Sequence, residues 1–250
     1  MLKNSTVLLL LVMGLVIQGP ASAEDEDGRL EQLQQRLQAQ KQIFEFSIAK
    51  IILEQNFTDG DMETVIVAKG GDAGLKRFWL FAPDGKLVYE FKSPSNGRNG
   101  RNGRNIGARE ILVESPEPSD TEIVLRAYPK GMYTFIGESF LGEWLYSRAT
   151  LSHELPTPAT ITFPSQDSTV SRYSLTVIWG AVAGATSYIV ELKDRNTERK
   201  LEAQIPGNET MFQAPPAWIV PNANYQVEVS AINGAGNVTG TQLTFFTAAN

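Results

Sequence analysis

Asp59-Gly60-Asp61, with Glu54, Asn56 and Glu63 close by, is the densest group of hard oxygen donors in the chain. Carboxylate and amide oxygens so grouped suit calcium, with Glu54, Asp59 and Asp61 as the candidate ligands. The EF-hand spacing is absent. Thr58-Asp59-Gly60-Asp61 serves equally well as a turn between strands, because Asp tolerates turn geometry and glycine permits a positive φ.

A second chemistry is stacking on sugar rings. Trp144 and Tyr146 alternate along one predicted strand and Trp79 lies in another, a composition that suits the aromatic platform of a carbohydrate-binding module. The same period-two placement also fills a hydrophobic core. A third feature is the tract from Asn96 to Asn105, built from tandem Asn-Gly-Arg units. It reads as an expanded hairpin loop, and Arg98, Arg101 and Arg104 would offer an anionic polymer such as a surface polysaccharide a patch of positive charge.

Catalytic chemistry finds less to work with. His153 is the only histidine, no Gly-x-Ser-x-Gly nucleophile turn occurs, and cysteine is absent. Histidine- or thiolate-based metal sites, a cysteine nucleophile and disulfides are thereby excluded. A glycosidase using carboxylates alone would need a pocket with paired acids, whereas a flat acidic surface would not serve one. The expectation is a protein that is not an enzyme and has no cofactor other than the candidate calcium. The net charge of −6 gives no general attraction to nucleic acid or anionic membranes.

These groups need elements to position them. Lys3, the apolar run Val7 to Ile17 and the small residues Ala21-Ser22-Ala23 read as a signal peptide over 1–23, cleaved ahead of the acidic run Glu24-Asp25-Glu26-Asp27. The apolar run is shorter than the ~20 residues of a membrane-spanning helix. Export to the periplasm or the cell exterior is therefore expected, with no transmembrane segment after cleavage.

Leu30, Leu33 and Leu37 repeat at helical spacing and predict one short amphipathic helix in an acidic leader over 24–42. From Ile43 the residues become β-branched and aromatic in short runs. Strands are predicted over Phe44–Gln55, Glu63–Ala68, Arg77–Phe81, Lys86–Phe91, Ala108–Glu114, Glu122–Ala127, Gly131–Phe140 and Glu143–His153. Pro83-Asp84-Gly85 supplies a hairpin turn. Leu155-Pro156-Thr157-Pro158 divides a β-sandwich over 43–156 from a second domain over 157–250. There Leu175, Val177 and Trp179 share one strand face, as do Tyr188, Val190 and Leu192, and again Tyr225, Val227, Val229 and Ala231.

Trp179, Tyr188 and Ile219-x-Pro221-x-x-x-Tyr225-x-Val227-x-Val229-x-Ala231-x-Asn233-x-x-Gly236 together resemble a fibronectin type III domain. The resemblance implies an immunoglobulin-like sandwich with Trp179 between the sheets and Tyr225 at a tyrosine corner, and with the strand-C Tyr188 and Pro221 as further structural residues. The first domain, through segments such as Tyr128-Pro129-x-Gly131-x-Tyr133-x-Phe135-x-Gly137, is similar to uncharacterised exported bacterial proteins that carry a β-rich region before a type III module. All-β architecture with two tandem sandwiches follows. So does a non-catalytic binding or scaffold role in the bacterial envelope, with a protein or a cell-surface polysaccharide as partner.

Overall fold

The structure, a computed structural model, describes residues 28–94 and 107–249. The leader over 1–23 and Arg98, Arg101 and Arg104 lie outside the described residues.

In the first half the order is α1 (Arg29–Gln38), β1 (Ile43–Phe44), β2 (Ile48–Asn56), β3 (Asp61–Lys69), β4 (Leu75–Phe81), β5 (Leu87–Lys92), β6 (Glu110–Glu114), α2 (Thr121–Ala127), β7 (Gly131–Ser139) and β8 (Trp144–Leu151). A five-stranded sheet ordered β1-β8-β7-β4-β5 faces the β2-β3-β6 group. Phe78, Tyr133 and Phe135, all 0 % exposed, fill the space between them with Ile51, Leu53 and Ile66. The Phe46 ring meets Phe78 edge-on at 5.8 Å, an arrangement that aromatic pairs favour.

Two strand predictions need correction. The run Phe44–Gln55 is not one strand: β1 lies parallel to β8 in one sheet and β2 pairs with β3 in the other. The chain crosses between the layers around Phe46, whose ring turns into the core while its N–H donates to Ser147 Oγ at 3.1 Å. The run Glu122–Ala127 belongs to helix α2, not to a strand. In this segment only Val124 is buried, and Ile123 is 49 % exposed. A single inward side chain flanked by good helix formers satisfies one helical turn and leaves no face for a sheet.

The second half contains β9 (Ile161–Phe163), β10 (Thr169–Val170), β11 (Thr176–Trp179), β12 (Ala185–Asp194), β13 (Lys200–Pro206), β14 (Met211–Gln213), β15 (Asn224–Asn233) and β16 (Val238–Thr247). A three-stranded sheet, β14-β11-β9, covers the β13-β12-β15-β16 group. Alternation along β12 and β15 buries Tyr188, Val190, Leu192, Val227 and Val229 completely. Apart from the two helices every described element is a strand, and the fold is an all-β sandwich architecture.

The two sandwiches share a sheet. β16 pairs in parallel with β2, aligning Val238 with Glu54, Thr239 with Gln55 and Gly240 with Asn56, so that one sheet runs β13-β12-β15-β16-β2-β3-β6 across both halves. On the face of this seam turned away from the sandwich cores, Ile52, Val65 and Val238 form a small apolar cluster of their own.

Candidate functional site

Asn237, 0 % exposed, organises the seam. Its Oδ1 accepts the N–H of Leu53 on β2 at 2.9 Å, and its Nδ2 donates to the carbonyls of Ser152 and Glu154, each at 2.9 Å, in the connection between the halves. Asn233 supports it by donating to Glu154 O at 2.6 Å and accepting the N–H of Asn237 at 3.1 Å. The β2–β3 turn completes the attachment: Phe57 N–H donates to Gly240 O at 2.9 Å, and Gln242 N–H donates to Thr58 Oγ1 at 2.8 Å.

On the outward face of this shared sheet lies a cavity of about 290 Å³ whose walls come from both halves, among them Glu54, Asp61, Glu63, Glu117 and Glu228. Cross-strand register sets the spacing, since Glu54 faces Glu63, and Glu228 faces both Glu191 and Gln242. Gly240 lets Glu228 lie across β16 toward the seam, because a Cβ there would fall on Glu228 Oε1 and approach Ser230 Oγ at 3.0 Å. Glu228 is held by Ser230 Oγ–H at 2.6 Å and Gln242 Nε2–H at 2.8 Å.

Crowded carboxylates away from bulk water favour the protonated form. Burial, followed by the charge of Glu117 and then of Glu54 and Glu114, pushes the Glu63 carboxyl up to about 7. Glu54 is also raised, chiefly by burial, although nearby Lys50 opposes the shift.

No protein-family model matches this chain, and no curated protein matches it. Among solved structures, a two-domain fibronectin type III segment from chicken tenascin is similar over 78 % of this chain and 97 % of that one, at 12 % identity and a TM-score of 0.29. The FN1–FN3 domains of chicken CNTN1 are similar over 82 % and 65 %, at 13 % identity and a TM-score of 0.32. These neighbours are fibronectin type III proteins.

The residues of the type III resemblance sit where strands converge. Trp179 meets Tyr188 edge-on at 5.3 Å, and the Tyr188 hydroxyl accepts the N–H of Val182 at 2.8 Å. The Tyr225 hydroxyl accepts the N–H of Val220 at 3.0 Å, and Pro221 follows on the surface. Tyr133 in the first half anchors a similar corner by donating to Pro129 O at 3.0 Å.

The candidate calcium ligands are not gathered together. Asp59 accepts Asn56 Nδ2–H at 2.8 Å and Asn56 Oδ1 accepts the N–H of Thr58 at 3.0 Å, closing the turn, with Gly60 at φ 77°. Glu54 and Asp61 instead line the cavity. Among the described residues no group of three or more His, Asp or Glu side chains is placed to hold a metal ion.

The aromatic residues Trp79, Trp144 and Tyr146 do come together, on the outer face of the five-stranded sheet, but helix α1 packs over them. Leu33 and Leu37 of α1 cluster with Trp79, which is 2 % exposed, and Trp144 and Tyr146 are half-buried beside them. The Trp79 and Trp144 rings are parallel within 9° at 6.3 Å, and Trp79 Nε1–H donates to Glu90 at 3.0 Å, the same carboxylate that pairs with Arg29 of α1 at 2.7 Å. His153 bonds to Tyr128 O at 2.8 Å, tying the end of β8 to the end of α2. In the sequence Asn237 is simply the first residue of an Asn-Val-Thr tripeptide. Its contacts depend on a pairing between strands that are remote in the chain, and no local pattern announces such a pairing.

Proposed function

We propose that this protein is an exported, non-catalytic scaffold of the bacterial envelope that presents a binding surface to a protein partner. The observation that carries the reading is the single sheet shared by the two sandwiches, locked by Asn237, which turns two modules into one rigid face. Strands spaced ~4.8 Å apart make the seven paired strands of that face ~30 Å wide, on the scale of a standard protein interface. The leader composition supports export.

A binding role fits the acidic cavity better than catalysis does. Two of its carboxylates are engaged by neighbours: Glu228 by Ser230 and Gln242, and Glu191 by Lys200 at 2.9 Å. At about 290 Å³ the cavity also lies at the lower end of the ~300–1,000 Å³ range of small-molecule sites. A sugar platform would require Trp79 to be open to solvent, and α1 covers it.

The test is site-specific photocrosslinking in the native envelope. A crosslinker at Glu117 or Glu202, at the two ends of the shared face, should give a discrete protein adduct, while one at Met132 on the opposite side should not. Equal labelling at all three sites, or turnover of a chromogenic glycoside panel by the purified protein, would overturn the reading.

A further inference from the structure

The two borders of the shared sheet differ. β13, at one end, presents Lys200, Glu202 and Gln204 to solvent and stops at Pro206, and lysine and proline are residues with which sheet edges discourage further pairing. β6, at the other end, has β3 as its only strand neighbour among the described residues. Its register with β3 is unbroken from Glu110 to Glu114, and Leu112 in the middle is 59 % exposed. Other edge strands offer less. β1, β9, β10 and β14 are two or three residues long, and β5 has a register shift against β4 and its Glu90 held by Arg29.

Two backbone bonds set the phase of the β3–β6 ladder. Gly70 N–H donates to Arg109 O at 3.1 Å, and Ser115 N–H donates to Thr64 O at 3.0 Å. Alternation between them spends the N–H and C=O groups of Ile111 and Val113 on β3 and turns those of Glu110, Leu112 and Glu114 outward. The side chains alternate in step, with Ile111 in the core and Leu112 in the open between two glutamates. Lys69 approaches Glu110 at 3.8 Å, whereas Glu114 has no ion-pair partner among the described residues.

We propose that β6 is the docking edge for the protein partner, which adds to it as an extended strand carrying basic residues on either side of an apolar one. This rests on the reading of the shared sheet as a binding face and names where and how the partner attaches. The outward backbone groups supply the ladder bonds. A strand added in register places an apolar side chain beside Leu112 and a lysine or arginine beside each of Glu110 and Glu114. Charge decides against a second copy as the occupant. Two β6 strands paired about a two-fold axis at Leu112 set Glu110 of each against Glu114 of the other, and like charges directly opposite destabilise a strand pair.

The test is an NMR titration of the full chain with a capped five-residue peptide, lysine-threonine-valine-threonine-lysine, beside the same peptide with glutamate at both ends. The basic peptide should shift the Glu110, Leu112 and Glu114 amides saturably and leave those of β13 in place, and the acidic one should bind about tenfold more weakly or worse. Leu112→Pro deletes an outward donor that β3 does not use and should abolish the shifts. Glu110→Lys combined with Glu114→Lys keeps that donor and should reverse the preference between the peptides. Equal binding of both peptides, an unreversed preference, or binding that survives in Leu112→Pro overturns the proposal. Shifts at these three amides that grow with protein concentration alone overturn it too, since the occupant would then be a second copy. No response at β6 overturns strand addition even where the crosslinker at Glu202 yields its adduct, an outcome that leaves the binding face itself standing.

Discussion

The backbone N–H of Leu53 and the side-chain oxygen of Asn237 meet at 2.9 Å although 184 positions separate them in the chain. This buried bond, with the two that Asn237 donates to Ser152 and Glu154, stitches the first sandwich, the connection and the second sandwich at one point.

Asn237→Ala should therefore cost more than an ordinary polar truncation. It orphans the Leu53 N–H and removes the donor to two carbonyls, and each buried unsatisfied group costs roughly 1–3 kcal/mol. Urea denaturation is expected to show a loss of at least about 2 kcal/mol. Asn237→Asp, which keeps the acceptor but loses the donor, should fall between this variant and wild type.

Gly240→Ala should be destabilising by roughly 1–3 kcal/mol, because its Cβ would displace the Glu228 carboxylate and crowd Ser230. The damage should be partly relieved when Glu228→Ala is added, a non-additivity that a double-mutant cycle measures directly. Strict additivity would show that the close approach of Glu228 to β16 has been misread.

Tyr225→Phe and Tyr188→Phe each delete a hydroxyl that accepts a backbone N–H, from Val220 and Val182 respectively. Each should lower stability by about 1–2 kcal/mol while leaving the circular dichroism spectrum unchanged. A neutral result at Tyr225 would remove the tyrosine corner as a source of stability.

Leu37→Asp places a charge where α1 meets the five-stranded sheet and should release the helix from Trp79. Tryptophan emission should shift to the red and become accessible to iodide quenching. Unchanged emission would mean that Trp79 is sheltered by something other than α1.

Chelation should leave the melting temperature where it was, since Asp59 is used in closing the β2–β3 turn and Glu54 and Asp61 line a different space. A marked drop on chelation would reinstate calcium at this turn.

Much of this architecture is legible in the chain because it is local. The period-two rows through Tyr188 and Tyr225 point their own residues inward, and Leu33 and Leu37 mark one face of α1. The helix at Thr121–Ala127 was missed because its apolar residues also fit a strand and only tertiary packing chose between them. The acidic cavity was illegible for a different reason. Glu228 and Glu63 belong to separate halves, and only the parallel pairing of β16 with β2 brings them to one face.

That parallel pairing also has a mechanical meaning. β2 and β16 point the same way, so tension between the chain ahead of β2 and the chain beyond β16 slides one strand along the other and strains their rungs together instead of unzipping them one by one. A tethered molecule stretched along that line would resist as a riveted lap joint does, and would yield more readily to a pull directed across the sheet.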